Sequence, residues 1–302
     1  MITFRYYVVT LVAIFLALGL GVLAGTTFVP QATVLALKNS LDRLERRNAS
    51  FIREIDSLDK RNRQLNEFAA SGKDLLVRDA LADVPVAIVS FDSTGGDALE
   101  QVRETFVASG ARVEASIELS AKLDATSQGR REELARALEV AGPAPDTDDL
   151  RTLLADRLAG ALSGRSPTEL QRLVDAGFAK ALDAPATGRP SGSIAPGSAI
   201  VLLAPAPDRQ LRLFTERVLV PTVRSLTTSS VLVAVGEALP DRLLLTRLLR
   251  QDSSVRVVTV DGIDGPVGQA ALVLGLQAAG TGRFGHYGVG EGTSGPIPRS
   301  GA

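Results

Sequence analysis

The side chains that most often do chemistry are scarce in this 302-residue chain: it has no Cys, one Met at its first position and one His, His286. Without Cys there is no disulfide, no thiolate nucleophile and no Cys-ligated zinc. With one His there is no His cluster for a transition metal and no two-His zinc motif. His286 stands in a glycine-rich segment and reads as a solvated tail residue, so no Ser or Thr gains a plausible imidazole base. Carboxylates are plentiful but clustered: Asp146, Asp148 and Asp149 read as a loop group, Glu132 and Glu133 as a helix surface. Neither supplies the separated, differently tuned pair that acid–base work needs. The expectation is a chain without a catalytic set, not an enzyme.

One segment could hold an anion. Residues 92–97 (DSTGGD) end an apolar run and open a helix, where backbone N–H groups can cradle a phosphate. They lack the G-x-G-x-x-G spacing and the Lys of a P-loop, and Asp92 and Asp97 repel an anion. A strand–helix turn capped by Asp97 is the simpler reading, and no bound cofactor is expected. The 33 basic and 34 acidic side chains nearly cancel, which argues against a nucleic-acid partner. Arg46-Arg47 and Arg130-Arg131 are offset by acids and read as solvated faces.

The elements that position these residues begin with an apolar segment. No charge occurs between Arg5 and Lys38, and residues 8–28 (VVTLVAIFLALGLGVLAGTTF) would span roughly 30 Å as a helix, a bilayer's hydrocarbon thickness. Residues 1–30 are therefore expected to form a short N-terminus and one transmembrane helix. The alternative is a secretory signal cut after residues 22–24, though such apolar stretches are usually shorter. Arg5 precedes the segment and Lys38, Arg43, Arg46 and Arg47 follow it, so charge alone leaves its orientation open. Gly21 and Gly25, extended by Ala17, put small residues on one helix face, where a second helix could approach.

Residues 34–70 carry a heptad pattern. One seam position holds Val34, Leu41, Asn48, Ile55, Asn62 and Ala69; the other holds Leu37, Leu44, Phe51, Leu58 and Leu65. β-Branched residues at the first and Leu at the second favour two parallel strands, and Asn at the first fixes register. The expectation is a coiled coil ended by Ser71-Gly72. An amphipathic helix packed on its own domain is the alternative. Glu54 and Asp59 would face each other across parallel copies, and Ile52 flanks the seam, so a different partner or a larger bundle stays open.

Residues 75–280 alternate strand-like and helix-like stretches. Apolar runs at 84–91, 112–119, 198–204, 230–235 and 255–260 read as strands. Helices are expected at 98–109, through most of 120–182 with breaks at 142–145 and 166–167, and at 209–226, 240–251 and 266–279. Residues 184–197 read as a loop. The pattern predicts an α/β domain with a mostly parallel sheet and helices on both faces. Residues 281–302, with seven glycines among them, read as a flexible tail.

This layout resembles the mycobacterial copper transport protein B (MctB) family over nearly its full length. The resemblance is most specific at residues 12–19 (VAIFLALG), 21–25 (GVLAG) and 285–290 (GHYGVG), and it includes Asp79-Ala80-Leu81 ahead of the first strand. It implies a membrane-spanning envelope protein that limits intracellular copper, with copper as a transported ion. Copper(I) prefers thiolate and thioether ligands and copper(II) imidazole, so one protomer cannot supply a relay of specific ligands. One helix cannot enclose a pore, so a conducting path needs an oligomer or a partner. The first expectation is an oligomeric single-pass copper transport or homeostasis protein, its α/β domain on the exoplasmic side. The alternative is a coiled-coil scaffold or regulator whose α/β domain binds an envelope partner such as a cell-wall enzyme.

Overall fold

The computed structural model describes residues 4–27, 31–92, 94, 96–182, 193–204, 211–238 and 244–298. The chain divides into two compact units, Met1–Leu65 and Asn66–Ala302.

The first unit is helical. Helix α1 runs over Phe4–Thr27, and within it Arg5–Ala24 is long and apolar enough to cross a membrane. Its large side chains, such as Leu11, Phe15 and Leu23, are exposed, as a lipid-facing stretch requires. Helix α2 runs without a break over Gln31–Val77, 47 residues and about 70 Å. It passes through Ser71-Gly72, where the sequence pattern suggested an end. Gly costs a helix interior about 1 kcal/mol relative to Ala. The last turn offsets this by burying Val77 completely and by two hydrogen bonds from Lys73, to Thr105 Oγ1 (2.9 Å) and Gln269 Oε1 (3.0 Å).

The α/β domain opens with β1 (Pro85–Phe91), α3 (Gly96–Ala108) and β2 (Arg112–Leu119), the expected βαβ unit. A 3₁₀ turn (Ala121–Asp124) and helices α4 (Gln128–Ala137), α5 (Thr147–Leu162) and α6 (Pro167–Asp175) follow. Ser127 caps α4, and Asp146 caps α5 by accepting from the amides of Asp148 (3.0 Å) and Asp149 (2.9 Å). The acidic group read as a loop cluster is thus a helix start. Next come β3 (Ala179–Ala181), β4 (Ala199–Leu203), α7 (Leu211–Phe214), a π turn (Thr215–Leu219) and α8 (Val220–Thr228). The domain closes with β5 (Val233–Glu237), α9 (Leu245–Gln251), β6 (Val258–Asp261), α10 (Pro266–Gly280) and β7 (His286–Tyr287).

The strands form one seven-stranded sheet in the order β3-β2-β1-β4-β5-β6-β7, parallel except for β3. Successive β1 residues face opposite layers. Ala87, Val89 and Phe91 join a core with α4, α5, α6, α8 and α9, while Val86 and Ile88 join one with α3 and α10. Helices on both faces of a mostly parallel sheet are what the strand pattern predicts.

Two elements depart from the sequence reading. Residues 179–181 (AKA), expected inside a helical stretch, form edge strand β3 antiparallel to β2. Ala favours helix, but Gly177 takes φ +72° and turns the chain, Phe178 is buried, and the edge of β2 offers unpaired groups. The second departure is the glycine-rich end. Residues 281–298 are not a loose tail: β7 pairs with β6, Tyr287 is buried, and the Ser294 amide donates to the His286 carbonyl at 2.7 Å. Most of the loop expected at 184–197, and the first residues of the helices expected at 209–226 and 240–251, lie outside the described residues.

Candidate functional site

The seam residues singled out in the sequence all lie on α2. Leu37, Leu41, Leu44, Phe51, Ile55, Leu58 and Leu65 are each more than half exposed, between 51% and 66%. Asn48 and Asn62 are exposed with them. Among the described residues this leaves a regular apolar row open along α2. Gly21 lies on α1 with no atom within 4 Å of where a Cβ would sit; Gly25 lies in the same helix.

In open α/β sheets ligands sit at the carboxyl ends of the strands where the connections reverse direction. That place here lies between β1 and β4, and described residues pack across it. Phe91, at the end of β1, packs edge to face against Phe214, with ring centroids 6.1 Å apart. Thr94 Oγ1 accepts from the Phe91 amide (3.1 Å) and donates to the Ala204 carbonyl (3.4 Å). Asp92 accepts from the Ser120 hydroxyl (3.2 Å) and the Ala121 amide (3.0 Å). Asp92 and Thr94 of the 92–97 turn are thus engaged in internal bonds.

Further along the same edge, Glu237 and Asp261 stand opposite each other in the β5–β6 register, both buried. Glu237 accepts from the Leu244 amide (2.8 Å), the Thr246 amide (3.0 Å) and the Thr246 hydroxyl (2.7 Å), and so caps α9. Asp261 takes the Arg250 guanidinium on Oδ2 (2.9 Å) and the Val289 amide on Oδ1 (2.6 Å), and the Gly290 amide lies within 3.3 Å of both oxygens.

Arg250 also donates to Thr259 Oγ1 (3.0 Å) and to the carbonyls of Glu291 (3.0 Å) and Tyr287 (3.3 Å). Thr259 Oγ1 lies 2.9 Å from His286 Nδ1. The one histidine is thus part of a clasp that fastens residues 286–291 to β6. Burial, and after it the nearby Arg250 charge, holds the His286 pKa below its usual value. Burial also raises the Tyr287 phenol.

Sequence reasoning missed Arg250, Thr259 and Asp261. The available signal was an acid, Asp261, closing the apolar run 255–260 just before Gly262. Its partner Arg250 sits in a helix whose pattern resembles any solvated face. Among the described residues no three His, Cys, Asp or Glu side chains come together in a way that could hold a metal ion. A concavity of about 450 Å³ between α4 and α6 is crossed by the Arg172–Glu139 ion pair at 2.9 Å.

The described residues thus combine an apolar helix of membrane-crossing length, a long helix with an exposed apolar row, and a doubly wound α/β domain. The chain belongs to the family described as copper transport outer membrane protein, MctB, whose model matches residues 1–298. The match includes the apolar helix, the seam and the glycine-rich clasp, as the resemblance implied. No match is found among curated proteins.

Proposed function

We propose that this protein limits intracellular copper at the cell envelope and works there as an oligomer. Family membership over residues 1–298 carries this reading. In it α1 is a retained anchor and the α/β domain stands on the exoplasmic side. Copper is the substrate, not a resident cofactor, and the chain performs no catalysis of its own.

The residue inventory shapes how this is done. With no Cys, a single Met at position 1 and His286 engaged with Thr259, one protomer has no chain of soft ligands along which copper could pass. One helix encloses no path either. The protein then acts through an assembly whose pore or ligands are shared, and its own side chains supply anchoring and pairing. Cell-associated copper, measured by mass spectrometry in a strain lacking the gene, should rise severalfold under copper load and return to normal when the gene is restored. Equal copper in deleted and restored strains defeats the reading.

A further inference from the structure

The open seam of α2 calls for one occupant, and we infer that it is a second copy of this chain, parallel and in register. The inference rests on the oligomer of the proposed function and names its pairing surface.

Three observations select this occupant. Asn48 and Asn62 hold the same heptad position two heptads apart, so in a parallel, unshifted pair each faces its own copy and the amides bond to each other. In an antiparallel pair that position packs against the other seam position, and both amides would meet Leu or Phe with no partner. Second, among the described residues each chain carries one segment able to cross a membrane, ahead of α2. Two copies anchored in the same bilayer bring their α2 helices forward from the same end, which is parallel pairing. Third, the seam from Leu37 to Leu65, with its Leu, Phe and Ile members more than half exposed, would bury between two helices an area on the order of the 1,600 Å² of a standard stable interface.

The flanks agree in part. Parallel pairing sets Arg47 beside Ile52 of the second copy, where the aliphatic stem of the arginine covers the isoleucine. It also sets Glu54 beside Asp59 of the second copy, a repulsion that weakens the pair without changing its register. That pair supplies a test of direction, because Asp59→Lys turns the repulsion into attraction only in the parallel arrangement.

The absence of cysteine makes the experiment clean. Single cysteines are placed in the full chain, in its own membranes, at the seam (Asn48→Cys and, separately, Asn62→Cys) and on the outer face (Arg53→Cys), then oxidised with diamide. Facing seam positions lie within disulfide reach, so covalent homodimer should form at least about tenfold faster at 48 and at 62 than at 53. Adding Asp59→Lys should raise the yield at 48 further, and native mass spectrometry of the unmodified chain in mild detergent should give two copies.

The inference is overturned if co-expressed 48 and 62 variants link only to each other, if the seam cysteines link to a different protein, or if more than two copies are found. It is equally overturned if seam thiols that react with maleimide give no dimer. Copper is not read in this experiment, so its failure leaves the copper-limiting role to the deletion strain.

Discussion

Arg250 Nη2 lies 2.9 Å from Asp261 Oδ2, with the two side chains 6% and 0% exposed. A buried ion pair is retained only when its spare donors and acceptors are satisfied. Here the chain's own end satisfies them: the amides of Val289 and Gly290 complete Asp261, and the carbonyls of Tyr287 and Glu291 complete Arg250. The last strand is therefore held by charge and backbone more than by apolar area, since β7 is only two residues long.

Asp261→Asn keeps the shape of the side chain and removes its charge, leaving Arg250 buried without a counter-ion. Breaking a buried pair in this way costs about 3–5 kcal/mol. Urea unfolding of the α/β domain in the full chain should show a loss of that size, together with faster proteolysis after residue 281. A loss below about 1 kcal/mol, typical of an exposed pair, would refute the clasp.

Gly288 takes φ +119°, and a Cβ there would overlap Asp261 Oδ1. Gly288→Ala must therefore both strain the backbone and push the carboxylate off its amide donors. A thermal melt should show a loss of at least about 2 kcal/mol. Gly292, at φ +78° with the nearest neighbouring atom 3.8 Å away, should lose only about 1 kcal/mol on the same change. Equal losses at the two positions would mean that backbone strain, not the clasp, sets the effect.

These glycines explain where the sequence was legible and where it was not. The buried strands announce themselves because 84–91 and 198–204 are continuous apolar runs, and such runs specify parallel strands whatever surrounds them. Heptads of α2 are legible for the same reason, as a periodic apolar row. Composition says that a glycine-rich end is loose, yet Gly285 and Gly288 are there because Tyr287 and Asp261 leave no room for a Cβ. Such close approach is a tertiary fact that local composition cannot report. β3 was hidden likewise: its Ala-Lys-Ala sequence favours helix, and only the free edge of β2 makes it a strand. In the candidate site, the sequence showed the periodic row that lies on α2. Arg250 and Asp261, eleven positions apart on separate elements, carry no shared local signal.

His286 gives the clasp a pH dependence of definite sign. Burial and the Arg250 charge lower its folded pKa below the usual 6.5. Between those two pKa values the unfolded chain binds more protons than the folded one, so stability falls as pH drops below about 6.5 and levels off under the folded pKa. Arg250 and, through it, Asp261 are the charged groups closest in this network, and the added positive charge on the imidazole opposes Arg250 directly. Amide exchange at Tyr287 and Val289, divided by the intrinsic rate at each pH, should quicken between pH 7 and 5, and His286→Asn should remove most of that change. Exchange that stays flat across this range would show that His286 does not couple to the strand.

Asn48 and Asn62 set up a different trade. Amides at seam positions cost stability and return register, so replacing both by Leu should strengthen association while loosening its specificity. Removing two buried polar layers should raise the melting temperature of the α2 pairing, because Leu packs where an amide had to be desolvated. At the same time Leu at both seam positions also suits trimers and tetramers, and shifted registers no longer misplace an amide. Native mass spectrometry of the doubly substituted chain in mild detergent should therefore show a spread of copy numbers, with cross-links at staggered positions as well as facing ones. A seam that packed on a single apolar surface of its own domain would respond differently, since the substitutions would stabilise the monomer and leave copy number untouched. The direction of the two effects together, tighter but less uniform, is what separates a register-fixing seam from an ordinary buried helix face.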